Sequence, residues 1–91
     1  MNIARELNKI AEPYLLDGIS VELGATYDAD VCPILEEYLE ALMNSEPMVS
    51  CAVSYCDYAV YNRRIEGVMT ITCVVDYVPF VFPIIYWRKN G

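Results

Sequence analysis

Histidine is missing from this 91-residue chain, and that absence removes much ordinary enzyme chemistry. No remaining side chain has an unperturbed pKa near neutrality. The chain therefore offers no ready general base at pH 7, and no Ser-His-Asp or Cys-His nucleophile pair. Basic residues are scarce too. Arg5, Lys9, Arg63, Arg64, Arg88 and Lys89 are the only six, and none occurs from Ile10 to Asn62. The two lysines lie near the ends of the chain, which leaves little for a Schiff base or a phosphate clamp. Gly-x-Gly-x-x-Gly, Walker and Gly-x-Ser-x-Gly loops are all absent. Catalysis is not expected, and no catalytic residue is assigned.

Long apolar runs are missing as well. Val74–Trp87 is the most apolar stretch, but Asp76, Pro79 and Pro83 interrupt it, and a spanning helix needs about 20 apolar residues. Met1–Leu16 carries Arg5, Glu6, Lys9 and Glu12, so no signal peptide is expected. Cys32, Cys51, Cys56 and Cys73 make no Cys-x-x-Cys pair, and without histidine they do not spell a zinc site. A cytoplasmic protein with four free, mostly buried thiols is expected, with no metal and no cofactor.

What the chain does have is acid. Thirteen Asp and Glu residues give a net charge of −7, and ten of them fall between Ile10 and Asn62. A field of one sign repels nucleic acid and anionic membrane and attracts basic partners. Apolar content is 56% against 21% charged, a balance that favours a folded core over disorder. The length suits a single domain, residues 1–91.

Periodicity sets the expected elements. Ile3, Leu7, Ile10 and Tyr14 make one apolar stripe of a helix over Asn2–Glu12, stopped by Pro13. Asp17-Gly18 marks a turn, and Ile19, Val21 and Leu23 alternate as a strand. A second helix starts near Asp28 or Asp30 as cap, with Pro33 in its first turn. Its apolar face is Ile34, Leu35, Tyr38, Leu39, Leu42 and Met43, and Asn44 and Pro47 end it. From Met48 the pattern turns to β. Val49, Cys51, Val53 and Tyr55 share one parity, and a swap near Cys56-Asp57 suggests a bulge or a strand buried on both faces. Asn62-Arg63-Arg64 is the next turn, Ile65–Val75 the next strand, and Tyr77-Val78-Pro79 the next break. Phe80–Trp87 is expected to be an edge strand because Pro83 lacks a donor. The sum is α+β, with two helices packed on one face of an antiparallel sheet in the order α-β-α-β-β-β.

The carboxylates invite an acid–base reading through Asp28 with Asp30 or Glu36 with Glu40. Caps and a solvated helix face explain them better. Asp28-x-Asp30 also lacks the glycine and terminal glutamate of a calcium loop. Asp57 and Asp76 both fall within expected strands, where Asp marks a bulge, protects an edge or faces a pocket. Eight tyrosines exceed the needs of so small a core, and tyrosine suits interfaces.

In size, charge and lack of catalytic groups, the chain resembles the small acidic proteins of phages and mobile elements, including anti-CRISPR inhibitors. The resemblance implies a single α+β domain that binds a nucleic-acid-handling complex at its basic surface. The expected function is a non-enzymatic binding module, with Asp28, Asp30, Glu36, Glu37, Glu40, Tyr58 and Tyr61 meeting the partner. Direct binding of nucleic acid or membrane is not expected. A homodimeric structural or chaperone-like protein, joined through Phe80–Trp87 or an exposed sheet face, is the second reading. A small-ligand pocket between helices and sheet is the third.

Overall fold

Asn2 starts the first helix by accepting the Arg5 N–H on its side chain at 3.0 Å. This helix, α1, runs over Ile3–Ala11 and tightens into a 3₁₀ turn at Glu12–Tyr14, where Pro13 withholds a donor. The chain is described by a computed structural model over residues 2–16 and 25–89. The turn and strand expected at Asp17–Leu23 lie outside the described residues.

Two short strands were not expected: β1 at Leu15–Leu16 and β2 at Thr26–Asp28. The second helix, α2, spans Val31–Ser45. Neither aspartate caps it through a side chain. Asp30 holds the cap position with helical geometry, and the Asp28 carboxylate accepts the Asp30 N–H at 2.8 Å. Three long strands follow: β3 at Val49–Tyr61, β4 at Arg64–Val75 and β5 at Val78–Lys89. They pair antiparallel as a meander within a sheet of order β1-β2-β5-β4-β3. Because β2 pairs parallel with β5, the sheet is mixed rather than antiparallel throughout.

Pro83 corrects the expectation for the last strand. β5 lies inside the sheet, with β4 on one side and β2 on the other. The β2 pairing reaches only Tyr86 and Trp87. The Trp87 carbonyl turns toward that side, accepting the Ala29 N–H at 2.9 Å. Pro79 and Pro83 share the parity of Trp87, so their missing donors fall on the flank that β2 does not reach. The strand is an edge along most of its length and interior only at its end.

Both helices cover one sheet face. Leu7, Leu35, Leu39, Met69, Ile71 and Ile84 are the largest apolar side chains buried there, and each contributes about 1.5–3 kcal/mol by burial. In α2 the core takes Val31 and Cys32 along with Leu35, Leu39 and Leu42. Ile34 and Met43, expected inside, are 39% and 38% exposed. The opposite sheet face is uncovered among the described residues. Its centre is a grid of Ser50, Ala52, Ser54 and Cys56 on β3, Val74, Thr72, Thr70 and Val68 on β4, and Pro79, Val81, Pro83 and Ile85 on β5.

The four thiols are free, but only Cys32 and Cys73 are buried, and Cys56 is exposed. Cys73 donates to Cys51 Sγ at 3.1 Å. Burial first, then this contact, raises the Cys73 pKa to about 12.

Two-residue turns join the long strands. Asn62 and Arg63 have φ of 53° and 64°, and Asp76 and Tyr77 have 49° and 70°. Two consecutive positive φ values are what a type I′ hairpin turn requires. Asp76 is therefore a turn residue rather than a strand residue, tolerated because aspartate enters this region readily. Arg63 has no such excuse. Arg63→Gly is expected to stabilise the fold by about 1 kcal/mol through release of backbone strain, measured as a higher urea midpoint at unchanged m-value.

Candidate functional site

Helix α2 lies along β3 in the reverse direction, and one row of its side chains follows the edge of the sheet. Glu36 accepts the Tyr55 hydroxyl at 2.8 Å. Two turns further on, Met43 Sδ accepts the Cys51 N–H at 3.2 Å. Glu40 lies between them on the same side, one turn from each. Glu36, Glu37 and Glu40 are all exposed. The ion pairs among the described residues are Arg64 with Glu66 at 2.9 Å and Arg88 with Asp57 at 3.0 Å. Neither involves α2.

At the N-terminal end of α2 the row runs into a cluster built by the sheet register. Asp57, Gly67 and Tyr86 lie side by side on β3, β4 and β5. Gly67 has no side chain, so the Tyr86 ring lies across it and donates its hydroxyl to Asp57 at 2.5 Å. The Arg88 guanidinium donates to the other carboxylate oxygen at 3.0 Å. Tyr55 meets Tyr86 edge-on, with ring centroids 6.1 Å apart. Next to Asp57 the register with β4 shifts, the bulge expected near Cys56-Asp57. Ala29, Cys32, Tyr55, Asp57, Tyr86 and Arg88 line an open cleft of about 280 Å³.

Each shifted group in this cleft moves away from neutrality. The Tyr86 hydrogen bond holds the Asp57 carboxyl below its ordinary 3.8; loss of solvent opposes it, and the Arg88 charge and hydrogen bond add to the lowering. Burial and the bond to Asp57 push Tyr86 up to about 12. Burial and Glu36 raise Tyr55. Burial, then Glu36 and Asp28, raise Cys32 to about 11. The arrangement presents a fixed carboxylate and neutral hydroxyls, which suits binding contacts better than proton transfer at pH 7. Among the described residues no group of three or more ligating side chains could hold a metal ion.

The expected site residues fall into three places. Glu36, Glu37 and Glu40 stand together on α2. Asp28 and Asp30 line a separate cleft of about 250 Å³ with Trp87, Arg88 and Lys89, so two bases stand near these acids. Tyr58 and Tyr61 are 44% and 62% exposed, on the far arm of β3, where Arg64 covers the Tyr61 ring at 5.2 Å. Sequence reasoning missed Tyr55, Gly67, Tyr86 and Arg88. A lone glycine inside a strand, which marks close approach of another group, was the available signal. No family model, curated protein or solved structure matches this chain.

Two variants test the cluster. A Cβ at Gly67 would overlap the end of the Tyr86 ring and stand 2.8 Å from the Cys56 carbonyl. Gly67→Ala is expected to destabilise by about 1–3 kcal/mol, read from chemical denaturation. The lowered Asp57 pKa adds stability that is complete above the ordinary carboxylate value and lost as pH falls through the lowered one. Asp57→Asn is therefore expected to flatten the decline of stability below about pH 4, checked by thermal melts across an acid series.

Proposed function

We propose that this protein is a non-enzymatic binding module that docks on a basic surface of a partner protein or nucleoprotein complex. One observation carries the reading: Glu36, Glu37 and Glu40 are exposed on one helix, with no base in pairing range among the described residues. Like charges at this spacing cost a helix a few tenths of a kcal/mol each. They become favourable when a cationic surface meets them, and they speed and select the encounter. Where that surface ordinarily holds nucleic acid, the module competes for it, the mode of action of an anti-CRISPR-like viral inhibitor. Its free thiols suit a reducing compartment such as the cytoplasm.

A homodimer is the second reading. The grid of twelve uncharged side chains on the open sheet face favours it, since Val81 there is 60% exposed and such patches mark contact surfaces. Light scattering over a concentration series separates the two states.

The combined Glu36→Gln, Glu37→Gln and Glu40→Gln variant tests the first reading. It is expected to fold normally, and its circular dichroism and melting point check this. Used as parallel baits in host lysate, wild type should retain a basic protein or complex that the variant loses. With that partner purified, stopped-flow association should be slower for the variant and less sensitive to salt. Equal capture and equal rates at low salt would overturn the reading.

A further inference from the structure

Among the described residues, the outer edge of β3 is unpaired along its middle. β3 ends the strand order, and the Met48 carbonyl accepts the Asp76 N–H at 3.1 Å. Even-numbered positions from there to Cys56 therefore turn their backbone groups toward β4. The Cys51 N–H points the other way, into Met43 Sδ at 3.2 Å. By alternation, Val53 and Tyr55 direct both N–H and C=O outward, and no described strand meets them. Such a row is a template for one more strand.

The flanks of this edge have opposite chemistry. On the helix side stand the carboxylates of Glu36 and Glu40, while Asp57 beyond them is already paired with Arg88. On the other side lie Ser50, Ala52 and Ser54, small and uncharged, continuing into Thr72 and Thr70 across the sheet. A strand added here would have its side chains face the acids and the uncharged surface in turn.

We infer that the β3 edge accepts an extended segment of a basic partner protein, with Lys or Arg at alternate positions toward Glu36 and Glu40. The positions between carry small or β-branched uncharged residues. The inference rests on the proposed basic partner and adds how that partner is held. A second copy of this chain fits the edge poorly. Antiparallel pairing through its own β3 would set the Glu36 and Glu40 face of one copy beside that of the other, and facing like charges oppose pairing. The bound segment is short, because Met43 closes the ladder at Cys51 and the bulge closes it beyond Asp57.

Three synthetic peptides of about nine residues, a typical strand length, test this on the intact, isotope-labelled protein by amide NMR. One alternates lysine and valine. The second has the same sequence with N-methyl groups on the amides that would face β3, which keeps the charge and removes the hydrogen bonds. The third has glutamate in place of lysine. The lysine peptide is expected to shift the Val53, Tyr55 and Asp57 amides and to slow their exchange with water. N-methylation should weaken it roughly tenfold, as loss of two backbone hydrogen bonds implies, and the glutamate peptide should not bind. Equal binding of the methylated peptide overturns strand addition and leaves the basic-partner reading standing. Equal binding of the glutamate peptide overturns the charge selection and that reading with it. Absence of shifts at β3 with millimolar lysine peptide overturns the inference alone, since the bait experiment judges the partner class independently.

Discussion

The register of the three-stranded meander decides where every side chain of interest ends up. Two tight turns set it, at Asn62-Arg63 and Asp76-Tyr77, and neither contains glycine. A slip of one residue in either hairpin would exchange the two sheet faces. Met69, Ile71 and Cys73 would leave the core, and Thr70 and Thr72 would enter it. The same register places Gly67 between Asp57 and Tyr86. Burial of the aliphatic row under the helices supplies several kcal/mol, more than the strain of about 1–3 kcal/mol stored at each unfavourable φ. The core thus holds the turns in shape, and the turns hold the core in register.

Charge is arranged around this frame in three regions. Among the described residues, unpaired acids occupy the outer side of α2, uncharged residues fill the centre of the open sheet face, and Arg63, Arg64, Arg88 and Lys89 gather at one end of the meander, mixed with Asp28, Asp30, Asp57 and Glu66. At physiological salt the screening length is about 8 Å, so these regions act on a partner separately.

The helices and the meander were legible because their apolar periods run long enough to count. The Cys56-Asp57 parity swap left a bulge or a doubly buried strand, and the register shift beside Asp57 decides for the bulge. β1 and β2 were not legible: at two and three residues they fall below any periodic window, and pairing with neighbours holds them. Pro83 read as an edge residue because sequence shows a missing donor but not how far the neighbouring strand extends. Ile34 and Met43 read as core because apolar character alone does not say where a helix face stops being covered. The Asp57 cluster draws on three strands, so its parts become neighbours only once both hairpin registers are known. Asp57 stood out as an aspartate within a strand, but Gly67, whose lack of a side chain inside a strand needs a reason, went unread.

An edge strand of 13 residues in a chain this apolar is an aggregation hazard, and its defences bear on function. Met43 occupies one end of the ladder. The bulge twists the other end away, at the point where Tyr86 and Arg88 fix the Asp57 carboxylate. Between these stops, Glu36 and Glu40 guard the opening with charge. Each device excludes a general strand-forming partner, and none excludes a short basic one. Protection against self-pairing and the proposed selectivity for a cationic segment would thus rest on the same side chains. Removing the acids to strengthen the isolated helix would also open the edge to indiscriminate pairing.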